Sequence, residues 1–209
     1  MWSVICKTIK AWWHQSSLSS WYVKRMIRQY AIDLTQFTLT TDKVPTLAQF
    51  MLRRYRTKPL APRNHERLIL SPVAGVITKQ DAHHITIQMH LHHYHRIHLP
   101  IAGTVTHYTR APYTSTTIHI SAPDGLIISL TIATTSEQHA TVLRYNPQRN
   151  YHLQGTEIGY VYATDALVTL QSNRPCLYSL KKNEDLSCNT ALGELSPIHS
   201  PSVTHERTA

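Results

Sequence analysis

The chain has 209 residues, 42% of them hydrophobic, which is enough for one domain with a real core and too few for a large multidomain machine. Its 21 Lys and Arg against 12 Asp and Glu give a formal charge of +9, so its natural partners are polyanions, an anionic membrane or a nucleic acid. Fifteen His residues add charge as pH falls, because imidazole titrates near pH ~6.5, and binding to anionic surfaces is expected to strengthen on mild acidification. Cys6, Cys176 and Cys188 are an odd number without C-x-x-C spacing. That argues against a disulfide framework or zinc ribbon and for a reducing, cytosolic location. No apolar run approaches the roughly 20 residues of a spanning helix, and no signal-peptide pattern follows Met1. If the protein meets a membrane, it is expected to lie on it, peripherally and on the cytoplasmic side.

Residues 1–34 read as an amphipathic helical membrane-contact segment. Trp2, Ile5, Ile9 and Trp12 form one stripe at helical spacing, and Val23, Ile27 and Tyr30 form another, with Lys7, Lys10, Lys24, Arg25 and Arg28 interleaved. All four tryptophans, Trp2, Trp12, Trp13 and Trp21, fall here, and Trp with Lys and Arg on such a helix is the composition of an interfacial anchor. The same stripe would equally suit helices that cap a core. Ser16-Ser17 and Ser19-Ser20 are expected to break the segment into a helical hairpin, with Ser20 as N-cap of the second helix. Residues 35–67 read as a helix over 46–55 followed by a basic linker, Arg53, Arg54, Arg56 and Lys58 with Pro59 and Pro62, more solvated than ligand-binding.

From Leu68 the texture becomes β-branched and alternating: VITK, ITIQMHL, TVTHY, TTIHIS, LIISLTI, ATVLRY, YVYA and ALVTL, punctuated by Gly75, Pro100, Gly103, Pro123-Asp124-Gly125 and Pro147. Residues 68–195 therefore predict a mainly β fold, a compact all-β barrel or sandwich behind the N-terminal α-helices. The Ser/Pro/Thr-rich residues 196–209 predict a disordered tail.

Histidine is densest at His83, His84, His90, His92, His93, His95 and His98. A metal site is one reading, since alternate strand positions share a face. Yet no Asp or Glu lies between Asp81 and Asp124 to complete a ligand set, and no metal is expected. Surface imidazoles, or a specific non-metal role for two of them, are the other readings. No strand shows the interleaved aromatic and basic residues that stack bases, so nucleic acid is not expected as a partner.

The words SPVAG (71–75), YHRIHLP (94–100) and GTEIGYVYATD (155–165), with QYAIDL (29–34), the Leu47-Ala48-Gln49-Phe50 helix and Arg53-Arg54, occur in the order of a known family. In them the chain resembles the pyruvoyl-dependent phosphatidylserine decarboxylases of phosphatidylethanolamine biosynthesis, over roughly residues 20–195. Leu192-Gly193-Glu194 is similar to that family's closing Gly-Glu turn.

The resemblance implies that His98 is the base for self-cleavage and His95 serves in decarboxylation. A neutral imidazole can take a hydroxyl proton near pH 7. In the family, a Ser attacks the preceding Gly carbonyl, the ester eliminates, and the resulting pyruvoyl ketone condenses with the lipid amine and acts as electron sink. An Asp orients the base.

This chain departs from that pattern. The orienting Asp is Ala74, the Gly-Ser-Thr word becomes Ala163, Thr164 and Asp165, and HISAPDG (119–125) stands where the family has Asn-Glu-Arg. Thr164 still offers a hydroxyl, and cleavage at Ala163-Thr164 would leave a 2-oxobutanoyl group in an active variant decarboxylase. The combined departures instead predict a membrane-surface pseudoenzyme that stays uncut and has no cofactor. It would bind anionic membrane and an aminophospholipid, and would be paired as a homodimer or with an active relative.

Overall fold

The computed structural model describes residues 16–39, 45–57, 67–110, 115–134, 140–144 and 151–196. Helix α1 (Ser16–Gln29) runs straight through Ser19 and Ser20, so no break falls at Ser19-Ser20 and Ser20 is not an N-cap. Serine costs a helix only about 0.5 kcal/mol. Ser19 is fully buried on one stripe with Val23 and Met26, at i, i+4 and i+7, so packing decides. The first helix expected of the hairpin, with Trp2, Trp12 and Trp13, falls outside the described residues.

A short 3-10 turn (Leu34–Gln36) is capped by Asp33, whose Oδ1 accepts the Thr35 N–H at 2.9 Å. Helix α2 (Leu47–Met51) opens with a capping box: the Gln49 N–H donates to Thr46 Oγ1 and the Thr46 N–H to Gln49 Oε1. The expected helix over 46–55 ends early at Leu52 because the following backbone pairs elsewhere. Tyr55 bridges Phe37, and the Thr38 N–H donates to Arg54 O at 2.8 Å.

Thirteen strands follow among the described residues, every pairing antiparallel. The largest sheet, in spatial order, holds β12 (Asp185–Leu186), β2 (Gly75–Gln80), β3 (His84–His90), β10 (Asp165–Ser172), β7 (Ile127–Thr134), β6 (Ser115–Ser121) and β5 (Thr104–Arg110). A second joins β1 (Leu68–Leu70), β13 (Ala191–Leu195) and β11 (Cys176–Tyr178), and a third joins β4 (Arg96–His98), β9 (Glu157–Tyr162) and β8 (Ala140–Leu143). The large sheet ends at β12 on one edge and β5 on the other, so among the described residues no barrel closes. The fold is mainly β and built from three sheets.

Period-2 alternation decides which side is buried. On β3 the inward residues Ile85, Ile87 and Met89 are fully buried, and on β7 Ile128, Leu130 and Ile132 are, while Thr86, Gln88, Ser129 and Thr131 face outward. The inward rows merge with Ile69, Ile97, Ile158, Val161 and Leu192 of the smaller sheets, and with Leu99 and Ala163 just beyond β4 and β9, into one core. A second cluster joins Val23 and Met26 of α1 to Leu47, Phe50 and Met51 of α2, with Leu91 and Tyr162 of the β domain packed against it.

Gly75 and Gly159, both in words that carry the resemblance, have steric roles. A Cβ on Gly75 would stand 2.5 Å from Gln88 O, and one on Gly159 would stand 2.3 Å from Val142 O. Gly159→Ala should therefore push β8 from β9 and destabilise the domain by about 1–3 kcal/mol, read as a lower denaturant midpoint.

Candidate functional site

Strands β4 and β9 place the two most specific words side by side, with Arg96 opposite Tyr160, Ile97 opposite Gly159 and His98 opposite Glu157. The Arg96 side chain is 6% exposed. Its Nη1 donates to Glu157 Oε1 at 3.2 Å, Nη2 to Leu52 O and Nε to Arg53 O. Arg54, 53% exposed, reaches the same Glu157 oxygen at 3.1 Å. The guanidiniums of Arg96 and Arg144 both lie over the Tyr160 ring.

His98, 5% exposed, donates from Nδ1 to Gly155 O at 3.0 Å. The Asn189 amide lies 3.5 Å from that same nitrogen. Because the nitrogen already carries the donated proton, the amide oxygen is the group that suits this contact, and an amide is assigned by such logic. Both of these partners are neutral groups. Ala74 packs instead in an apolar cluster with Phe37, Tyr94 and Cys188, so no carboxylate stands there to stabilise an imidazolium.

His95 is 1% exposed, and both ring nitrogens face backbone carbonyls, Val161 at 3.1 Å and Leu91 at 3.3 Å. Burial, with Arg53 nearby, lowers its pKa to about 4, so the ring is neutral at pH 7 and enclosed by main chain.

Thr164 lies in the turn between β9 and β10, past the far end of β9 from His98. From Glu157, opposite His98, to Tyr162 is five extended residues, about 16 Å. The implied base and nucleophile are therefore not brought together. Among the described residues no imidazole is hydrogen-bonded to the Thr164 hydroxyl. Ala163 is fully buried in the main core. Neither residue adopts positive φ, which among described non-glycine residues occurs at Ala31, Asn183 and Asn189. The Ala163-Thr164 bond thus shows no left-handed strain.

Thr164 does line a groove of about 590 Å³ with Tyr22, Arg25, Met26, Gln29 and Tyr30 from α1 and the turn that follows it, with His90, Leu91 and His92, and with Asp165. Here long-range partners supply the carboxylates missing from the local sequence. His90 Nδ1 meets Asp165 Oδ1 at 2.8 Å, and His93 Nε2 faces Asp185 at 3.4 Å. His84 pairs with Asp81 at the opposite end of β3. His93, His95 and His98 are buried, so the reading of all as surface imidazoles fails for these three. Among the described residues no group of three or more His, Cys, Asp or Glu is arranged to hold a metal ion. Cys176 and Cys188 are buried free thiols whose pKa burial pushes up, to about 11 and about 12, which leaves them unreactive at neutral pH.

Arg53 departs from the solvated reading of the basic run, while Arg54 and Arg56 are exposed. It is 4% exposed and donates to the carbonyls of Phe50, His92 and His93 at 2.7–2.9 Å, with the Phe37 and Phe50 rings against it. Nothing local in the sequence separates Arg53 from Arg54 or Arg56. Lys58 lies outside the described residues. On α1, Trp21 is 59% exposed and lines a surface groove with Lys24, Arg25, Arg28 and Gln29. No described helix is long and apolar enough to cross a membrane.

Comparisons with protein-family models, with curated proteins and with solved structures found no significant match to this chain.

The Arg54–Glu157–Arg96 junction gives a graded test. Glu157→Ala strands the buried Arg96 charge and should cost about 2–3 kcal/mol. Glu157→Gln, which keeps an acceptor, should cost less, and Arg54→Ala, on the exposed side, less than about 1 kcal/mol. Chemical denaturation of the three variants reads the order.

Proposed function

We propose that the chain is a membrane-surface protein of phosphatidylserine decarboxylase descent that stays uncut and carries no pyruvoyl-type group. The observation that carries the membrane part is the two-sidedness of α1. Val23 and Met26 cap the core while Trp21 stands exposed beside Lys24, Arg25 and Arg28. An exposed indole among cations matches the interfacial region of an anionic bilayer, where the ring takes the headgroup depth and the cations meet lipid phosphates. Capping and membrane contact, alternatives when read from composition, are compatible as opposite faces of one helix.

The reading as an uncut chain is supported by the separation of His98 from Thr164 along β9 and by the absence of left-handed backbone at Ala163. In this reading the retained words serve as scaffold. Arg96, Glu157, Gly155 and Gly159 each have a structural partner, and none requires turnover to explain its place. A homodimer or an active relative as partner remains part of the proposal as the resemblance implies it.

Intact-mass measurement of the purified chain should return one species at full length, unreactive to carbonyl reagents. Pieces 1–163 and 164–209, the smaller blocked at its N-terminus, would instead establish an active enzyme carrying a 2-oxobutanoyl group. For the membrane, the triple variant Lys24→Gln, Arg25→Gln, Arg28→Gln should bind anionic vesicles roughly 100-fold more weakly, at about 1 kcal/mol per charge. Unchanged affinity in that variant would sink the α1 assignment.

A further inference from the structure

The turn between β3 and β4 is closed by an unusual acceptor. The His90 backbone N–H donates to the Nδ1 of His93 at 2.8 Å, so that nitrogen must be bare and the ring proton must sit on Nε2. Nε2 faces Asp185 at 3.4 Å, a loose contact with a carboxylate 73% exposed and so well screened. Within the same turn, the His92 ring lies flat against Tyr30, immediately after α1, with centroids 3.6 Å apart and planes 2° from parallel. Leu91 packs beside it on the α1 and α2 cluster. The turn is thus the place where the end of α1 is gripped by the β domain.

We propose that this turn is an acid-opened clasp: a proton on His93 Nδ1 breaks the bond from His90, loosens the His92–Tyr30 stack, and frees the apolar face of α1 for the lipid surface. The inference rests on the membrane reading above for its last step only. The groups facing the clasp favour opening in acid. His93 has His90 and His92 beside it, His95 next along the chain and Arg53 beneath, while Arg25 of α1 lines the groove across from His90 and His92. The opposing charges are Asp185 at His93 and Asp165 at His90.

Burial first, then these like charges, lower the His93 pKa to about 3 from an ordinary 6.5, and burial also lowers that of His92. With the closed-state pKa depressed, the opened turn takes the proton first. Closure is therefore fully supported above pH ~6.5 and weakens progressively as pH falls from there toward about 3.

The test is hydrogen exchange of the α1 amides in the full chain at pH 7.5 and 5.0, corrected for intrinsic rates. It compares wild type with His93→Asn, whose Oδ1 can accept the His90 N–H but cannot take up a proton. Wild type should exchange about 30-fold faster at the lower pH, and H93N should not respond. An equal acid response in both overturns the clasp. Tyr30→Ala, which removes the stack from the exposed side, covers the case in which H93N fails to fold. It should exchange fast at both pH values, and a retained wild-type pH step would overturn the proposal.

Co-sedimentation with phosphatidylglycerol/phosphatidylcholine vesicles adds the second arm. An acid gain in binding larger in wild type than in H93N supports release onto lipid, and an identical gain reduces it to bulk histidine charge and overturns that step. Absence of vesicle binding at either pH overturns the membrane reading itself, while the exchange data still decide the clasp.

Discussion

A guanidinium taken out of water costs several kcal/mol unless its N–H groups find acceptors, and the junction of helices and sheets in this chain is organised around meeting that demand for Arg53. Its acceptors are main-chain carbonyls from α2 and from the histidine-rich turn, and its faces are covered by Phe37 and Phe50. Burial brings its pKa down to about 10, still charged at neutral pH. Three otherwise separate pieces are tied together by one side chain: the Phe37–Tyr55 bridge, α2, and residues 90–95. A lysine, with a compact charge and no planar faces, could not make the same set of contacts. The charge also acts outward. Arg53 is among the causes that hold His92, His93 and His95 below the ordinary imidazole range. Three imidazoles can crowd into one corner because that corner discourages their protons.

The acidic residues are deployed accordingly. In a chain with 12 carboxylates against 21 Lys and Arg, Glu157 is shared by Arg54 and Arg96, Asp124 holds Arg174, and Asp81, Asp165 and Asp185 each meet a histidine. Those carboxylates are engaged in internal structure, which leaves the cations of α1 unopposed by them. Asp165 illustrates the trade most directly. It follows the position where the resemblance implies a nucleophile, yet its carboxylate serves as partner to His90 across the β3–β10 ladder.

Much of the β architecture is legible in the chain because period-2 alternation is a local signal. All eight strand words read from the sequence coincide with strands, including the short β8. The strands that escaped notice, β1, β4, β11, β12 and β13, have at most five residues and sit beside Pro, Gly or charged turns, too short to display a period. The break expected at Ser19-Ser20 failed because a small polar residue on a buried stripe is judged by its packing and not by its propensity. What the chain could not disclose were the non-local pairings. Asp165 lies 75 residues from His90, and Arg96 lies 61 from Glu157. Only the register of β3 with β10 and β4 with β9 brings them together. Arg53 is the sharpest case, one of several neighbouring cations and the one that is buried.

The two departures that the sequence shows as separate, Ala74 and Ala163-Thr164-Asp165, bear on one question when placed in the fold. Self-cleavage needs a base that can hold a proton, a nucleophile within reach of that base, and a bond whose geometry favours attack. His98 meets a peptide carbonyl and an amide, which align a ring without themselves stabilising its cation. Thr164 offers a hydroxyl but stands past the opposite end of β9. Ala163 supplies no backbone strain and fills the core. Supplying any one element leaves the other two wanting, since His98 and the Thr164 hydroxyl would still be separated by about 16 Å of strand. The words that carry the resemblance are each held by packing: Gly75 and Gly159 by close backbone approach, Arg96 and Glu157 by a partly buried ion pair. Those constraints act on folding whether or not a bond is ever cut.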